Sequence, residues 1–479
     1  MVEPVEPKGI LDKVGVAIDA IVHAGRPYGG LFPSLLDRRT GEMLETLPPA
    51  IPGQRIDDRS HLGSNLIHDQ ALLATMYALA AALDRPDYSA AADQYLQRWA
   101  THCTDTPTGL FPWGEHAYWH LRNDAIGNSY LLHQPSRPGG GPGATHDHLR
   151  QAPVWLWEKL YAYNPQAVAR FAVGLDLHWK DGEPAEYSRH AAIEAHVRPS
   201  RDARACDFPR HSGFYILDWA FAYRQTGRAD FLRQIRRMLD YWWTKRDDKG
   251  LLLIESRSPA TDMHFYNTNA PGQTLSLTAS LLESADLLHA GEPDLAGTMR
   301  RRAAAYVDGF FAAPHDAQQG TFVLLCDRTT NAVKEAMPVW GSRYGVWPAS
   351  YVALTALCVY RLTGDDRLLH WATAAGQRYA TDPLPQGVQA PAMDAGLGLG
   401  LLADLYDVTG EPHWLAAGLD LTANLMAIYL DGDLPRGAAG IDWYESQMGP
   451  SFLLHGLARI ALLSMDRRHC PLAADYTAR

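Results

Sequence analysis

The feature that most constrains the fold is a repeated pair of helical segments. Apolar residues recur at i, i+3, i+4 and i+7 along the chain, which is the spacing of a helix with one apolar face. In each pair the first segment is rich in Ala, Gly and Leu, and the second carries more charge. A helix that is apolar almost all round is buried, whereas an amphipathic one lies at the surface. The predicted pairs are Ser64–Leu83 with Tyr88–Thr101, Ala152–Tyr163 with Gln166–Trp179, His211–Gln225 with Ala229–Thr244, Gly272–Leu288 with Asp294–Phe311, Gly345–Leu362 with Arg367–Tyr379, and Ala392–Val408 with His413–Leu430.

Alternating buried and amphipathic helices predict an all-α (α/α) toroid. The turns inside pairs, such as LTGDDRLL and VTGEPHWL, put Gly where one helix ends and an acidic residue where the next begins. Ile10–Ala24 and Gln447–Leu463 can form one more pair from the two chain ends. The count predicts an (α/α)7 ring, or an (α/α)6 ring with an extra helix. No linker marks a second domain, so we expect residues 1–479 to form a single toroidal domain.

Composition narrows the class of function. The formal net charge is -11, and a nucleic-acid binder would instead carry a basic field. No run of 18 apolar residues predicts a membrane span. Five cysteines without a CxxC motif favour reduced thiols and a cytoplasmic location, or a periplasmic or secreted one if a signal peptide has been removed. No GxGxxG after a strand, Walker loop or GxSxG supports a nucleotide cofactor or serine-hydrolase chemistry.

Long connections between the pairs are the predicted location of function. Thr104–Arg150, Lys180–Pro209 and Lys249–Pro271 lack helical periodicity, and loops of this length are usually functional. Because they all fall between pairs, they should lie on one face of the ring. Several predict short β-hairpins, for example GTFVLLCDRTTNAV.

Histidines concentrate in these connections. His116, His190 and His211 lie in or beside them, and the run His146–His148 offers two imidazoles and one carboxylate. Imidazoles and a carboxylate from separate loops can form a transition-metal site. The spacing is not that of a zinc finger, and there is no HExxH motif.

Arginine precedes histidine twice, at Arg189–His190 and Arg210–His211. The planar guanidinium group suits recognition of a carboxylate. An anionic substrate would need cations in the cleft despite the negative net charge. We therefore expect both guanidinium groups to point into the same cleft as His116 and His190.

Aromatic residues make up 10% of the chain, and such rings can stack on sugars in a carbohydrate cleft. A glycoside hydrolase would need two facing carboxylates instead, for which Glu115, Asp147, Glu255 and Glu445 are available. The predicted substrate-binding residues are Trp113, Tyr118, Tyr266, Asn267, Arg343, Trp443 and Tyr444.

Four local motifs resemble one enzyme family. They are GLFPWGEHAYWHL, the His-Asp-His run, NPQAVARFAVGLDLHWKDGEPAEYSRHA and DFPRHSGFYILDWAFAYRQTG. Over roughly Leu110–Arg246 the chain is similar to polysaccharide lyase family 2, whose members are pectate (polygalacturonate) lyases. The resemblance implies an (α/α)7 barrel and a divalent transition metal, typically manganese, that is held by two His and one Glu.

The resemblance also implies roles for individual residues. His116 would be the first metal-binding His and His190 the second, with Arg189 beside it as the Brønsted base. The Glu of the family falls at Asp147 or at His148, depending on a one-residue shift. Neither of these is a Glu, so the third ligand stays open between them.

The expected function is therefore cleavage of a uronic-acid-containing polysaccharide or oligosaccharide by β-elimination. This chemistry removes the proton at C5, α to the carboxylate, and expels the C4 oxygen, so the carboxylate has to be neutralised as charge develops. Arg210 is the expected carboxylate clamp, and His211 and Tyr215 are alternative proton-transfer groups to Arg189. The rival interpretations are a hydrolase or sugar epimerase on the same toroid and a non-catalytic carbohydrate-binding toroid.

Overall fold

The computed structural model describes residues 6–133, 143–201, 206–256 and 265–479. Helices dominate this part of the chain, and none of them combines the length with the apolar character that crossing a bilayer requires. Their bounds are α1 Pro7–Gly25, α2 Leu66–Ala82, α3 Pro86–Arg98, α4 Tyr130–His133, α5 Val154–Tyr163, α6 Pro165–Gly174, α7 Pro209–Thr226, α8 Ala229–Trp243, α9 Pro271–Leu288, α10 Pro293–Ala312, α11 Ala349–Thr363, α12 Asp366–Thr381, α13 Ala392–Thr409, α14 Pro412–Tyr429 and α15 Pro450–Met465.

Glycine ends three of the inner helices as the sequence predicts. Gly227, Gly364 and Gly410 follow α7, α11 and α13 with φ of 67°, 74° and 73°. This left-handed conformation strains any residue with a Cβ atom. Each glycine N–H donates to a carbonyl four residues earlier, which closes the last turn and reverses the chain into the outer helix.

The inner helices form the ring. In the described residues α7 packs on α9, α9 on α11, α11 on α13, α13 on α15, and α15 on α2. The shorter pair α5–α6 completes the circle between α3 and α7, and α1 packs outside α15. The predicted toroid is confirmed, with seven pairs along the chain when the two ends are counted as one.

Small residues let two inner helices approach closely. A Cβ atom at Gly396 of α13 would lie 2.3 Å from the backbone of Phe452 on α15, and one at Gly456 would lie 2.8 Å from the carbonyl oxygen of Gly396. The Gly-rich sequence of α13 is therefore a packing requirement. A side chain at either position would force the two helices apart.

Short strands lie in the connections between pairs. The predicted hairpin is present as β8 and β9, which pair with each other, and β7 pairs with β8. The remaining sheets are β1 with β10, β2–β3–β4 and β5 with β6, all antiparallel. The strands are β1 Leu35–Asp37, β2 Gly63–Ser64, β3 Ala117–His120, β4 Ala125–Asn128, β5 Thr145–His146, β6 Ala191–Ala192, β7 Thr268–Asn269, β8 Val323–Asp327, β9 Val333–Ala336 and β10 Trp443–Glu445.

The C-terminal segment, residues 470–479, runs into the ring from the end at which the inner helices finish. Tyr476 donates a hydrogen bond to Asp404 on α13, and Arg479 forms an ion pair with Glu283 on α9. The Thr477 carbonyl accepts from the amide of Gln151, just before α5. Residues 476–479 therefore lie inside the bore of the toroid, a position that helical periodicity did not predict.

Candidate active site

A cleft of about 1080 Å³ opens where the inner helices begin. Its wall includes Arg210 and His211 of α7, Gln273 of α9, Tyr351 of α11 and Met393 of α13. All five are at the first turns of their helices. The positive ends of several helix dipoles therefore face one cleft, which favours an anion there.

Two connections bring a cluster of possible metal ligands to this cleft: His116 and Asp147 belong to the one between α3 and α5, and His190 to the one between α6 and α7. One ligand atom each from His116, Asp147 and His190 lies within 4.8 Å of the others. The rings of His116 and His190 are 5.1 Å apart between centroids. The predicted proximity of the two histidines is therefore observed, with Asp147 as the third member.

The two imidazoles have the arrangement that metal-binding histidines need. Nδ1 of His116 is 3.1 Å from the carbonyl oxygen of Asp57 and must donate to it, which leaves Nε2 with its lone pair. Nε2 of His190 is buried and has no hydrogen-bond partner among the described residues. Burial, and then the charge of Arg189, lowers the pKa of His190, so this ring is neutral. The set fits a divalent transition metal by residue type, and His190 fits it by protonation state as well.

The His-Asp-His run divides between the core and the cleft. Nε2 of His148 lies 2.7 Å from Asp218, and His146 is hydrogen-bonded to His178 and Trp113. Both rings are buried on the core side. In an extended segment successive side chains point to opposite faces, so Asp147 alone points to the cluster. His148 was therefore wrong as a candidate ligand.

Arg189 lies between two carboxylates. Its guanidinium group is 3.0 Å from Glu115 and 3.0 Å from Asp147, and the Glu115 amide donates to Asp147 at 2.9 Å. Burial alone would lower the pKa of Arg189, but the charge of Glu115 opposes it and the pKa is raised. Burial, and then Glu115, raises the pKa of Asp147. Arg189 consequently holds its proton, which opposes the base role that the resemblance implies.

His211 differs from Arg189 in its hydrogen bonds and in its charge. It is buried, and neither ring nitrogen has a hydrogen-bond partner among the described residues. Burial, and then the neighbouring charge of Arg210, lowers the pKa of His211 well below its ordinary value. The cleft thus contains a neutral imidazole with an available lone pair.

Sequence reasoning missed an acidic segment before the first helix pair. Asp57 and Asp58 lie close to His116 and form a second possible ligand set with it. Arg55 forms an ion pair with Asp57 at 2.5 Å and lies 4.3 Å from the ring centroid of Tyr344. Burial, and then Glu115, raises the pKa of Asp58. The charge-dense stretch RIDDRS was the only signal, and nothing in it indicates contact with a histidine 58 residues later.

Three predicted sugar-binding rings are core residues. Trp113 is buried and donates to His146. Tyr118 covers Gly63 and Gly127 of its own sheet, whose Cβ positions its ring would occupy. Tyr444 is also buried. The prediction was wrong for these residues because ring type does not distinguish core packing from a cleft wall.

The other four predicted substrate-binding residues also differ in whether they line the cleft. Of the seven, Arg343 alone lines the cleft, where it pairs with Glu335 at 3.0 Å. Tyr266 is exposed away from the cleft, Asn267 donates to Thr329, and Trp443 donates to Glu445. The aromatic residues that do line the cleft are Tyr130, Phe208, Phe265, Tyr344, Trp347 and Tyr351.

The proton-transfer candidate Tyr215 lies beneath the cleft. Its hydroxyl donates to the carbonyl oxygen of Arg189 at 3.1 Å, and the side chain is fully buried. It therefore supports the backbone of the Arg189 strand, and it is not among the residues that line the cleft.

The model of a family described as periplasmic pectate lyase matches residues 49–204. The matched third of the chain contains the acidic segment, the ligand cluster and Arg189. The resemblance seen in the local motifs is therefore confirmed and extends upstream to residue 49. The match points to a carbohydrate-processing enzyme. None of the curated proteins matches the chain.

Several solved structures are similar to this chain at low identity. A sugar epimerase from a ruminal bacterium has 11% identity and a TM-score of 0.48, over 79% of this chain and 88% of that one. Cellobiose 2-epimerase from Bacillus thermoamylovorans has 9% identity and a TM-score of 0.46, over 95% and 98%. An unsaturated glucuronyl hydrolase specific for heparin has 11% identity and a TM-score of 0.45, over 95% and 98%. Likenesses of this size say nothing about activity.

Proposed function

We propose that the protein is a polysaccharide lyase that cleaves a uronic-acid-containing polysaccharide such as polygalacturonate by β-elimination. The observation that carries the proposal is the family match over residues 49–204, because this segment supplies His116, His190 and Arg189 to the wall of one cleft and Asp147 directly beside them. The description of that family also favours a periplasmic location over the cytoplasmic one that the cysteines suggested.

The charge of the cleft supports an acidic substrate. Among the described residues its wall contains six arginines and three carboxylates. Asp57, Asp147 and Asp176 pair with three of these arginines from outside the wall, which leaves Arg150 and Arg210 as the cations without a carboxylate partner in the described residues, in a chain with a net charge of -11. Local cations, not net charge, determine which ligand a cleft attracts. A uronate chain, with one carboxylate on each sugar, matches this surface.

In the proposed reaction the side chains of His116, Asp147 and His190 would hold a divalent transition metal, which we expect to be manganese. When bound, such an ion would neutralise the substrate carboxylate and so make the C5 proton more acidic. Arg189, held by Glu115 and Asp147, is oriented toward the same charge. These groups are preorganised, which is the main requirement for electrostatic stabilisation of a transition state.

His211 is our proposed proton acceptor. It removes the C5 proton with its free ring nitrogen, the C5–H electron pair forms the C4–C5 double bond, and the C4–O bond breaks. The C4–O pair leaves on the glycosidic oxygen, which takes a proton from solvent and becomes a hydroxyl group of the departing chain. Its lowered pKa keeps the imidazole in the form that accepts a proton. Arg189, the acceptor that the resemblance implies, would first have to lose a proton that two carboxylates stabilise.

The rival activities have less support. The rings of His116 and His190 are in edge contact, with 5.1 Å between centroids, so a sugar cannot lie between them as a two-base epimerase would require. For a hydrolase, Glu445 is buried in an ion pair with Arg59 and Glu115 is paired with Arg189.

The test is incubation of the purified protein with polygalacturonate, with and without added manganese, while the ultraviolet absorbance of the unsaturated uronate is followed. The fully methyl-esterified polymer is the matched control. We expect absorbance to rise with the acid polymer. New reducing ends without absorbance would show a hydrolase, and sugar inversion without chain cleavage would show an epimerase. Either result would overturn the lyase proposal.

A further inference from the structure

Two arginines of the cleft have no carboxylate partner. Arg150 and Arg210 are 3% and 5% exposed. Arg210 donates to the hydroxyl of Tyr351 at 2.6 Å and to the carbonyl oxygen of Leu149 at 3.0 Å. Arg150 contacts the sulfur of Met393 at 3.3 Å and the carbonyl oxygen of Ile67 at 3.5 Å. Among the described residues no carboxylate oxygen lies within 4.0 Å of either guanidinium group.

This arrangement is unfavourable without an anion. A buried charge is normally paired, because removing an ion from water costs several kcal/mol. Burial lowers the pKa of Arg150 to about 10, and the charge of Arg210 acts in the same direction. Arg150 therefore remains a cation at neutral pH, close to a second cation. Asp475 and Asp69 act on Arg150 from a distance and raise its pKa, but neither carboxylate lies within 4.0 Å of the guanidinium group, so the charge has no direct partner among the described residues.

Both guanidinium groups are held in place by packing over an aromatic ring. Arg150 lies over the ring of Phe452, 4.8 Å from its centroid, and Arg210 lies over that of Trp347, also at 4.8 Å. The residue after Arg150, Gln151, is fixed by Thr477 of the C-terminal segment. Held in this way, the groups lose little conformational freedom when a ligand binds.

Further buried polar atoms on the cleft wall lack partners. Oε1 of Gln273 and both ring nitrogens of His211 have none among the described residues. Buried polar groups in native proteins are almost always hydrogen-bonded. Together with the two arginines, they indicate a ligand that offers both an anionic group and hydroxyl groups.

We propose that Arg150 and Arg210 form a carboxylate subsite for a uronate residue of the substrate, apart from the histidine cluster. This inference rests on the proposed function and adds to it a determinant of substrate class. The subsite binds the free acid of a sugar and discriminates against its methyl ester, which has the same ring but no charge.

The test measures binding of the methyl glycoside of D-galacturonic acid and of its methyl ester by calorimetry. A monosaccharide has no glycosidic bond at O4, so neither probe can be cleaved. We expect the wild type to bind the acid on the order of 10-fold more tightly than the ester, as a charge-assisted hydrogen bond predicts. Arg150→Gln and Arg210→Gln should each remove most of that preference, and Arg150→Lys should retain part of it.

Arg459→Gln is the matched control. Arg459 is as buried as Arg150 but is paired with Asp404 and does not line the cleft. This variant should lose stability and keep the preference for the acid. If circular dichroism shows that Arg150→Gln does not fold, the comparison is made with Arg210→Gln and Arg150→Lys.

If folded Arg150→Gln and Arg210→Gln variants still bind the acid more tightly than its methyl ester, the proposed subsite is wrong. Because the readout is binding, the two proposals can fail separately. Loss of preference in a protein that makes no unsaturated product would support the subsite and contradict the lyase. Lyase activity together with an unchanged preference for the acid in the arginine variants would support the lyase and contradict the subsite.

Discussion

At the scale of single residues, Arg189 is a buried cation held between two carboxylates. Its substitution by Ala would leave Glu115 and Asp147 facing each other without a cation. We expect kcat/KM on polygalacturonate to fall by on the order of 100-fold or more, because a preorganised charge is lost. Arg189→Lys keeps the charge without the two-pronged geometry and should be intermediate. Steady-state kinetics checks this, and an unchanged kcat/KM in Arg189→Ala would contradict the proposed site.

The pH profile distinguishes the two candidate bases. A base must be deprotonated, and the pKa of His211 is lowered from 6.5. If His211 accepts the proton, kcat/KM should rise with pH through an apparent pKa below 6.5 and then stay level. The groups that influence His211 are Arg210, Arg189, His148 and His190.

The alternative predicts a different curve. Because the pKa of Arg189 is raised well above that of an ordinary arginine, a reaction that uses it as the base should accelerate only at strongly alkaline pH. His211→Gln should lower kcat by roughly 100- to 10,000-fold if His211 is the general base. If the His211→Gln variant keeps the wild-type kcat and the same pH profile, His211 is not the base and Arg189 is the remaining candidate.

Some of these residues could be identified from the sequence, and others could not. The Arg-His dipeptides were informative, since both arginines line the cleft. Alternation along an extended segment shows that only one of Asp147 and His148 can face the cluster, but which of them does so depends on tertiary structure. Arg55 and Asp58 were missed, since their proximity to His116 depends on tertiary structure.

At the scale of elements, a buried ion pair anchors the wall of the cleft that carries Arg55 and Asp58. Arg59 donates to both carboxylate oxygens of Glu445, on β10, at 2.6 and 2.8 Å. Both side chains are fully buried. The pair joins the first connection of the chain to its last strand, so it closes the ring at the level of the cleft.

Glu445→Gln should therefore destabilise the protein by about 3–5 kcal/mol, because Arg59 would remain buried without its partner. Chemical denaturation measures the change. The control is Glu335→Gln, whose partner Arg343 is 63% exposed and which should cost at most about 1 kcal/mol. Equal effects of the two substitutions would show that the buried pair does not stabilise this wall.

Helix bounds were predictable where local chemistry fixes them. The glycine after α13 and the proline at the start of α14 reproduce the predicted turn within a residue or two. The segment predicted to end at Trp179 ends as an α-helix at Gly174, because residues 175–178 tighten into a 3₁₀ turn. Periodicity does not separate the two helix types over so short a stretch.

At the scale of the whole molecule, the C-terminal segment connects the ring to the cleft. Deletion of residues 476–479 would remove its bonds to Asp404, Glu283 and Gln151. We expect the free energy of unfolding to fall by roughly 1–3 kcal/mol for each buried group that loses its partner. Binding of galacturonate should weaken as well, because Gln151 adjoins Arg150.

The matched control for this deletion is Tyr476→Phe. It removes only the hydroxyl that bonds to Asp404 and Arg361, so it should lower stability without changing affinity for the acid sugar. A deletion variant with wild-type affinity would show that the segment does not position Arg150.

The filled bore also has a consequence for how a polymer moves. Since residues 476–479 lie inside the ring, in contact with α9 and α13, no strand of sugars can pass through it. Substrate and product must use the same opening, so a cut fragment has to leave before the next stretch of polymer can take its place. We therefore expect short acidic products to compete with the polymer, and turnover to slow as they accumulate.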